Sequence, residues 1–238
     1  MSSHNPQHPQ GVIITIDGPA GTGKSTVAHL LALRLGLEFL DTGAMYRAGA
    51  LIAIEQDIDP HDGPALAAAV QAADLHFDFR TDPPPMMLGD RDVSRRIRES
   101  DVSDIVSIAA AQRALRSELV EQQRRVAERH PRLVTEGRDQ GSVVFPDAGL
   151  RFYLDAELNV RAARRARQLV QAGLRVDRDL IERDILERDR LDSGRADGPL
   201  VRPPGAIEID TSDHTAEQVV DALETIAREK LPDAGFKR

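Results

Sequence analysis

Cysteine and tryptophan are both absent from this chain of 238 residues, and only 3% of its residues are aromatic. Without thiols there is no disulfide, no cysteine-type zinc site and no thiol nucleophile. Aliphatic side chains must fill the core, and at 41% hydrophobic residues the chain has enough of them to bury one. No apolar run approaches the roughly 20 residues that a membrane-crossing helix needs. The first ten residues, MSSHNPQHPQ, are polar and lack an apolar signal core, so they read as a disordered tail (1–10) of a cytoplasmic protein. The formal net charge of −8 argues against a protein that coats a nucleic-acid polymer. The seven histidines show no metal-ligand spacing. Lysine is scarce as well. Lys24, Lys230 and Lys237 are the only three, so the other 28 basic residues are arginine.

What is present points to an α/β chain. Apolar runs at Val12–Asp17, Leu37–Asp41, Leu133–Glu136, Leu150–Asp155 and Ala206–Asp210 read as strands, each followed by a turn and helical sequence. Alternation of this kind implies a five-stranded parallel sheet flanked by helices on both faces. Between the second and third of these strands lies something different. LHFDFR alternates apolar and polar residues, TDPPP turns, and MMLGDRDVS follows, which predicts a small antiparallel ribbon in an insertion spanning 44–131. Asp101–Arg129 reads as strongly helical. Thr215 and Gln218 have capping-box spacing at the start of a last helix reaching about Arg228. The core is then 11–43 together with 132–238.

The most specific feature is GPAGTGKST, Gly18–Thr26, placed directly after the first strand. Gly18-x-x-x-x-Gly23-Lys24-Ser25 has the spacing of a P-loop. Glycines let successive backbone amides converge on one anion, and the helix that follows adds a partial positive charge. Gly18, Pro19, Ala20, Gly21, Thr22, Gly23 and Thr26 therefore frame a triphosphate site, Lys24 reaches its β- and γ-phosphates, and the Ser25 hydroxyl is placed for Mg²⁺. The only two asparagines, Asn5 and Asn159, are not followed by Lys, so the Asn-Lys-x-Asp stretch that selects guanine is missing. A second anion site is written into the strand ends. LDTGAMYR carries Thr42 and Arg47 to the carboxyl edge of the sheet, and EGRD carries Arg138 and Asp139 to the same edge. A regulatory P-loop module needs no second arginine-lined pocket, whereas a kinase for a phosphorylated acceptor does.

Five ordered blocks, ITIDGPAGTGKST, LDTGAMYR, GDRDVSRRIR, EGRDQGSVVFPDA and ERDRLDSGRADGPLV, make the chain resemble bacterial cytidylate kinases from about Val12 to Lys230. The resemblance implies transfer of the ATP γ-phosphoryl group to CMP or dCMP with Mg²⁺, in a P-loop fold with a monophosphate-binding insertion and a short helical lid over 159–176. It implies a protein that works on small nucleotides, with no membrane and no nucleic-acid polymer as partner, and a monomer is expected. It also implies residue roles. Asp41 and Thr42 would contact the acceptor, Arg47, Arg138 and Arg188 its phosphate, Ser107 and Arg116 cytosine, and Asp139 cytosine or sugar. Asp192 would contact sugar hydroxyls and Arg195 phosphate. Arg161, Arg164 and Arg165 would reach the ATP phosphates from the lid, with Lys24, Arg138, Arg164 and Arg188 serving catalysis. Arg188, Asp192 and Arg195 share a helix face by spacing, unless Gly194 ends that helix and leaves Arg195 on a turn. Two positions depart from the family pattern. Ser25 stands where many relatives have Gly, and Glu136, a candidate for contact with Mg²⁺ through water, stands where they commonly have Asp. Acceptors such as UMP or AMP remain alternatives on the sequence alone.

Overall fold

The structure is a computed structural model that describes residues 11–171, 173 and 175–237. The amino-terminal tail and positions 172 and 174 of the expected lid lie outside the described residues. Five parallel strands form the central sheet: β1 (Val12–Asp17), β2 (Glu38–Asp41), β6 (Arg132–Gly137), β7 (Leu150–Asp155) and β8 (Ile207–Asp210). Their order across the sheet is β2-β6-β1-β7-β8, which puts β1 at the centre. A central strand of a parallel sheet is buried on both faces, and so the VIITID run is almost continuously apolar. Ile14 and Ile16 are completely buried in it.

Two cores cover the two faces. On one, α1 (Lys24–Leu35) and α8 (Ala216–Lys230) pack Val27, Leu31, Leu35, Val220 and Leu223 against Ile14, Ile16, Phe152 and Leu154. On the other, α2 (Thr42–Glu55), α3 (Gly63–Ala72) and α5 (Arg113–Arg129) pack against Leu40 and Leu133. The expected ribbon is present as β3 (Leu75–Phe77), β4 (Met86–Leu88) and β5 (Arg91–Asp92), antiparallel and in that order. Its Phe77 and Met86 belong to the second core. The 44–131 segment thus shares its apolar interior with the sheet.

Helix ends follow their sequence signals. Gly36 stops α1 in the left-handed conformation at φ 67°, which places the first residue of β2 at Glu38, one later than the apolar run suggests. Thr215 and Gln218 form the expected capping box on α8. The 101–129 stretch is two helices, α4 (Ser100–Ala109) and α5, because Gln112 is extended at ψ 116° and caps α5 without a side-chain bond. Its Nε2 instead donates back to the Ile108 carbonyl at 3.2 Å, closing the end of α4. The remaining pair, α6 (Leu158–Gln171) and α7 (Arg178–Ser193), forms a hairpin with a small apolar seam of Ala162, Ile181 and Ile185.

Candidate active site

The carboxyl ends of β1, β2 and β6 meet where the strand order places β1 between β6 and β7, and every element of the site is anchored there. The loop after β1 begins at Gly18, whose φ is +148°. A Cβ on that glycine would stand 2.0 Å from the Leu154 carbonyl oxygen on β7. Gly18→Ala should therefore cost on the order of 4 kcal/mol or more, read as a shift in the urea midpoint, because the obstacle is backbone and cannot step aside. Gly23, at φ 91°, is the residue at which the loop enters α1.

Lys24 is almost fully buried at 5% exposure, and its Nζ donates to the Pro19 carbonyl at 2.7 Å. Burial pulls the ammonium below its usual range, as does the nearby Arg138, while the carboxylates of Glu136, Asp17 and Asp192 oppose the shift. Ser25, the second residue of α1, donates from Oγ to Glu136 Oε1 at 2.7 Å. Burial pushes the Glu136 carboxyl up, with Asp41 adding to it. A hydroxyl and a carboxylate oxygen side by side at the loop are hard oxygen donors of the kind Mg²⁺ takes when substrate phosphates and water complete its shell. Among the described residues there is no cluster of three His, Asp or Glu that would hold a metal unaided. Thr26 is exposed in the first turn of the same helix.

β2 and β6 deliver the second half of the site. Asp41 is the N-cap of α2, accepting the Ala44 amide on Oδ1 at 2.9 Å, while its Oδ2 accepts from Arg98 Nη2 at 3.0 Å. Thr42 Oγ1 donates to the Glu136 carbonyl at 2.7 Å, tying the start of α2 to β6. Arg47, one turn along, donates from Nη1 to Ser103 Oγ at 2.8 Å. Arg188 on α7 donates from Nη2 to the carbonyl of the same Ser103 at 2.9 Å. Burial, then repulsion from Arg188 and Arg98, holds the Arg47 guanidinium down at about 10. Burial and Arg188 likewise lower Arg165. Arg98, Arg165 and Arg188, from three further elements, thus lie within electrostatic reach of Arg47, and the near carboxylate, Asp41, is already paired with Arg98.

A deeper layer lies behind them. Arg138 donates from Nε to Asp192 Oδ2 at 2.7 Å, and Arg195 pairs with Asp192 Oδ1. Burial raises the Asp192 carboxyl, but the two guanidinium groups outweigh it and hold the group low. α7 ends at Ser193 with Gly194 as its C-cap, so Arg195 sits on the turn beyond the helix. Arg116 and Asp139 pair with each other, both almost completely buried, and the Arg116 guanidinium carbon lies 5.5 Å from the centroid of the Tyr46 ring. Ser107 is half-buried on α4, one turn past Ser103.

The three hairpin arginines take different places. Arg165 lies within electrostatic reach of Arg188 and Arg47. Arg161 donates from Nη1 to the Ala20 carbonyl at 3.1 Å and pairs with Asp189, whose Oδ1 accepts the Ala20 amide at 3.2 Å. Arg164 turns to the segment after β8. Its fork is engaged by Thr211, at 2.9 Å on Oγ1, and by the Thr22 and His214 carbonyls. It braces the phosphate loop against the segment after β8, and those carbonyls hold it because they are fixed acceptors within its reach.

Comparison with known proteins gives the family. The family model described as cytidylate kinase matches residues 14–229. The chain belongs to the cytidylate kinase family. It is 43% identical over 219 residues to the cytidylate kinase of Mycolicibacterium paratuberculosis, covering 92% of this chain and 96% of the relative. It is equally 43% identical to those of Bordetella pertussis (89% and 92% covered) and Burkholderia pseudomallei (94% and 95% covered). Cytidylate kinases are phosphotransferases. Within this cytidylate kinase fold, Ser103, Arg98, Asp189 and Asp17 were not singled out by sequence. Arg98 ends the block GDRDVSRRIR, and Ser103 lies one turn before Ser107, so their signals were present. For Asp17 the only signal is a lone acid closing an apolar strand.

Proposed function

We infer that the protein transfers the γ-phosphoryl group of ATP to CMP and dCMP, giving ADP with CDP or dCDP, by direct in-line displacement. The observation that carries this reading is the convergence of Arg47, Arg98, Arg165 and Arg188 beside the phosphate loop. Burial, and after it repulsion among these guanidinium groups, lowers Arg47 and Arg165, so an acceptor phosphate between them supplies charge that favours both. Arg forks suit it, because each can hold two phosphate oxygens at once.

In this reading the amides of residues 18–26 and Lys24 bind the donor phosphates, and Arg161 and Arg165 reach them from the hairpin. Ser25, with Glu136 behind it, would hold Mg²⁺, which would offset the charge of the donor's phosphates. Arg47, Thr42 and Asp41 line the acceptor phosphate. Arg116 and Asp139 hold the cytosine, joined by Ser107, while Asp192 and Arg195 hold the sugar and phosphate. Arg138 and Arg188 face the group in transit, supplying positive charge where it spreads over the equatorial oxygens. The acceptor oxygen is already ionised, so no general base is required. The segment 44–131 serves as the acceptor-binding insertion and 159–176 as a lid that excludes water. The protein acts as a cytoplasmic monomer in this scheme.

The test is an ADP-release assay with MgATP and CMP, dCMP, UMP, AMP and GMP, using Lys24→Ala protein as the blank. Turnover fastest with CMP and dCMP and lost in the variant is the expected result. Another preferred monophosphate would overturn the roles given to Ser107, Arg116 and Asp139. No acceptor-dependent turnover would point to a regulatory nucleotide-binding module.

A further inference from the structure

Arg138 and Asp139 are followed by a five-residue π-helical turn, Gln140–Val144. The leading amides of such a turn have no partner within it and are ordinarily met by the side chain of the N-cap residue. Here that residue is Asp139, an acid well suited to the task. It makes no capping hydrogen bond, because its carboxylate is turned away onto Arg116. The two amides are satisfied from elsewhere. Asp17, at the end of β1 and completely buried, accepts Gln140 N–H on Oδ1 at 2.8 Å and Gly141 N–H on Oδ2 at 2.7 Å. The turn lies directly against β1, since a Cβ on Gly141 would stand 2.8 Å from Thr15 Oγ1.

An acid at an N-cap position always has a competing place to rest, the amides just ahead of it. Occupation of those amides by another carboxylate removes the competition. We propose that Asp17 is a positioning residue that caps the 140–144 turn in place of Asp139, and so keeps the Asp139 carboxylate on Arg116 in the base pocket. This deepens the acceptor reading above and rests on it. Asp17 immediately precedes Gly18, so one side chain sets the acceptor side while its own backbone leads into the donor loop.

Asp17→Asn is nearly isosteric but replaces one accepting oxygen by an NH₂ that opposes an amide. Asp139 should then swing onto the freed amide. KM for CMP is expected to rise about tenfold or more, the effect of losing one charged hydrogen bond. KM for ATP should stay within about twofold, a split that a merely structural role would not give. The preference in kcat/KM for CMP over UMP should fall to the level of Asp139→Asn, and the double variant should fall no further. A crystal structure of Asp17→Asn should place the Asp139 carboxylate on a turn amide. Equal rises in both KM values, an unchanged CMP preference, or Asp139 still on Arg116 would overturn the proposal. If the unaltered protein itself shows no preference for CMP, the acceptor reading fails, and the crystal structure alone decides the capping claim. If Asp17→Asn does not fold, hydrogen exchange of Asp139→Ala decides instead. Gln140 and Gly141 amides as protected, relative to β6, as in the parent protein support the proposal, and their selective loss overturns it.

Discussion

Asp192→Ala is expected to destabilise the protein by about 3–5 kcal/mol, as removal of one member of a buried ion pair generally does. The change leaves Arg138 and Arg195 facing each other with no carboxylate between them. Asp192 is 4% exposed and is their shared partner, each guanidinium taking one of its oxygens. Neither charge can leave by losing a proton, since a guanidinium stays protonated under all ordinary conditions. Urea unfolding at pH 7 reads the loss. A pH series adds a sign. Asp192 is held below its unfolded value, so its contribution is complete above the unfolded carboxylate pKa and fades as pH falls through the folded one. The difference between parent and variant should therefore shrink on acidification. A constant difference from neutral to acid pH would mean that the pair contributes packing and little charge.

Lys24→Ala carries the largest expected effect on catalysis. Loss of a positioned cation at a developing charge costs about 10²–10³ in kcat. Stability should move the other way or hardly at all, because the ammonium is buried with its best fixed acceptor a backbone carbonyl. Burial disfavours its charged form, so the folded chain gives up some stability to hold it there. The expected pattern is a severe loss of turnover with an unchanged or raised thermal midpoint. Equal turnover in the variant would mean that another group neutralises the transferred phosphate.

Local and periodic features were legible in the sequence. The five strands, the glycine-rich loop, the ribbon and the capping box all depend on neighbours within a few residues, which the chain displays in order. The split between α4 and α5 was less so, since Ala110, Ala111 and Gln112 are all compatible with helix and only Gln112 turning back to Ile108 marks the break. Long-range pairings were hidden for a different reason. Ser103 meets Arg47 across 56 residues and Arg188 across 85, and Asp17 meets its amides across more than 120. No spacing rule reports which of 28 arginines will face which carboxylate. Arg164 illustrates the point, for its neighbours Arg161 and Arg165 turn toward the loop and the arginine cluster while it turns to Thr211.

The Ala20 peptide is held from both sides by the α6–α7 hairpin, its N–H by Asp189 and its carbonyl by Arg161. Those two side chains also hold each other, so the three groups form a closed ring between hairpin and loop. A phosphate arriving at that peptide is a rival anion to Asp189, and one that Arg161 can accept in exchange. Breaking the ring costs the hairpin its bonds to the loop, each worth about 0.5–1.5 kcal/mol net and more where charged. Under the donor role proposed for the loop, binding would therefore be a ligand exchange, in which the incoming phosphate trades places with an aspartate the protein already carries.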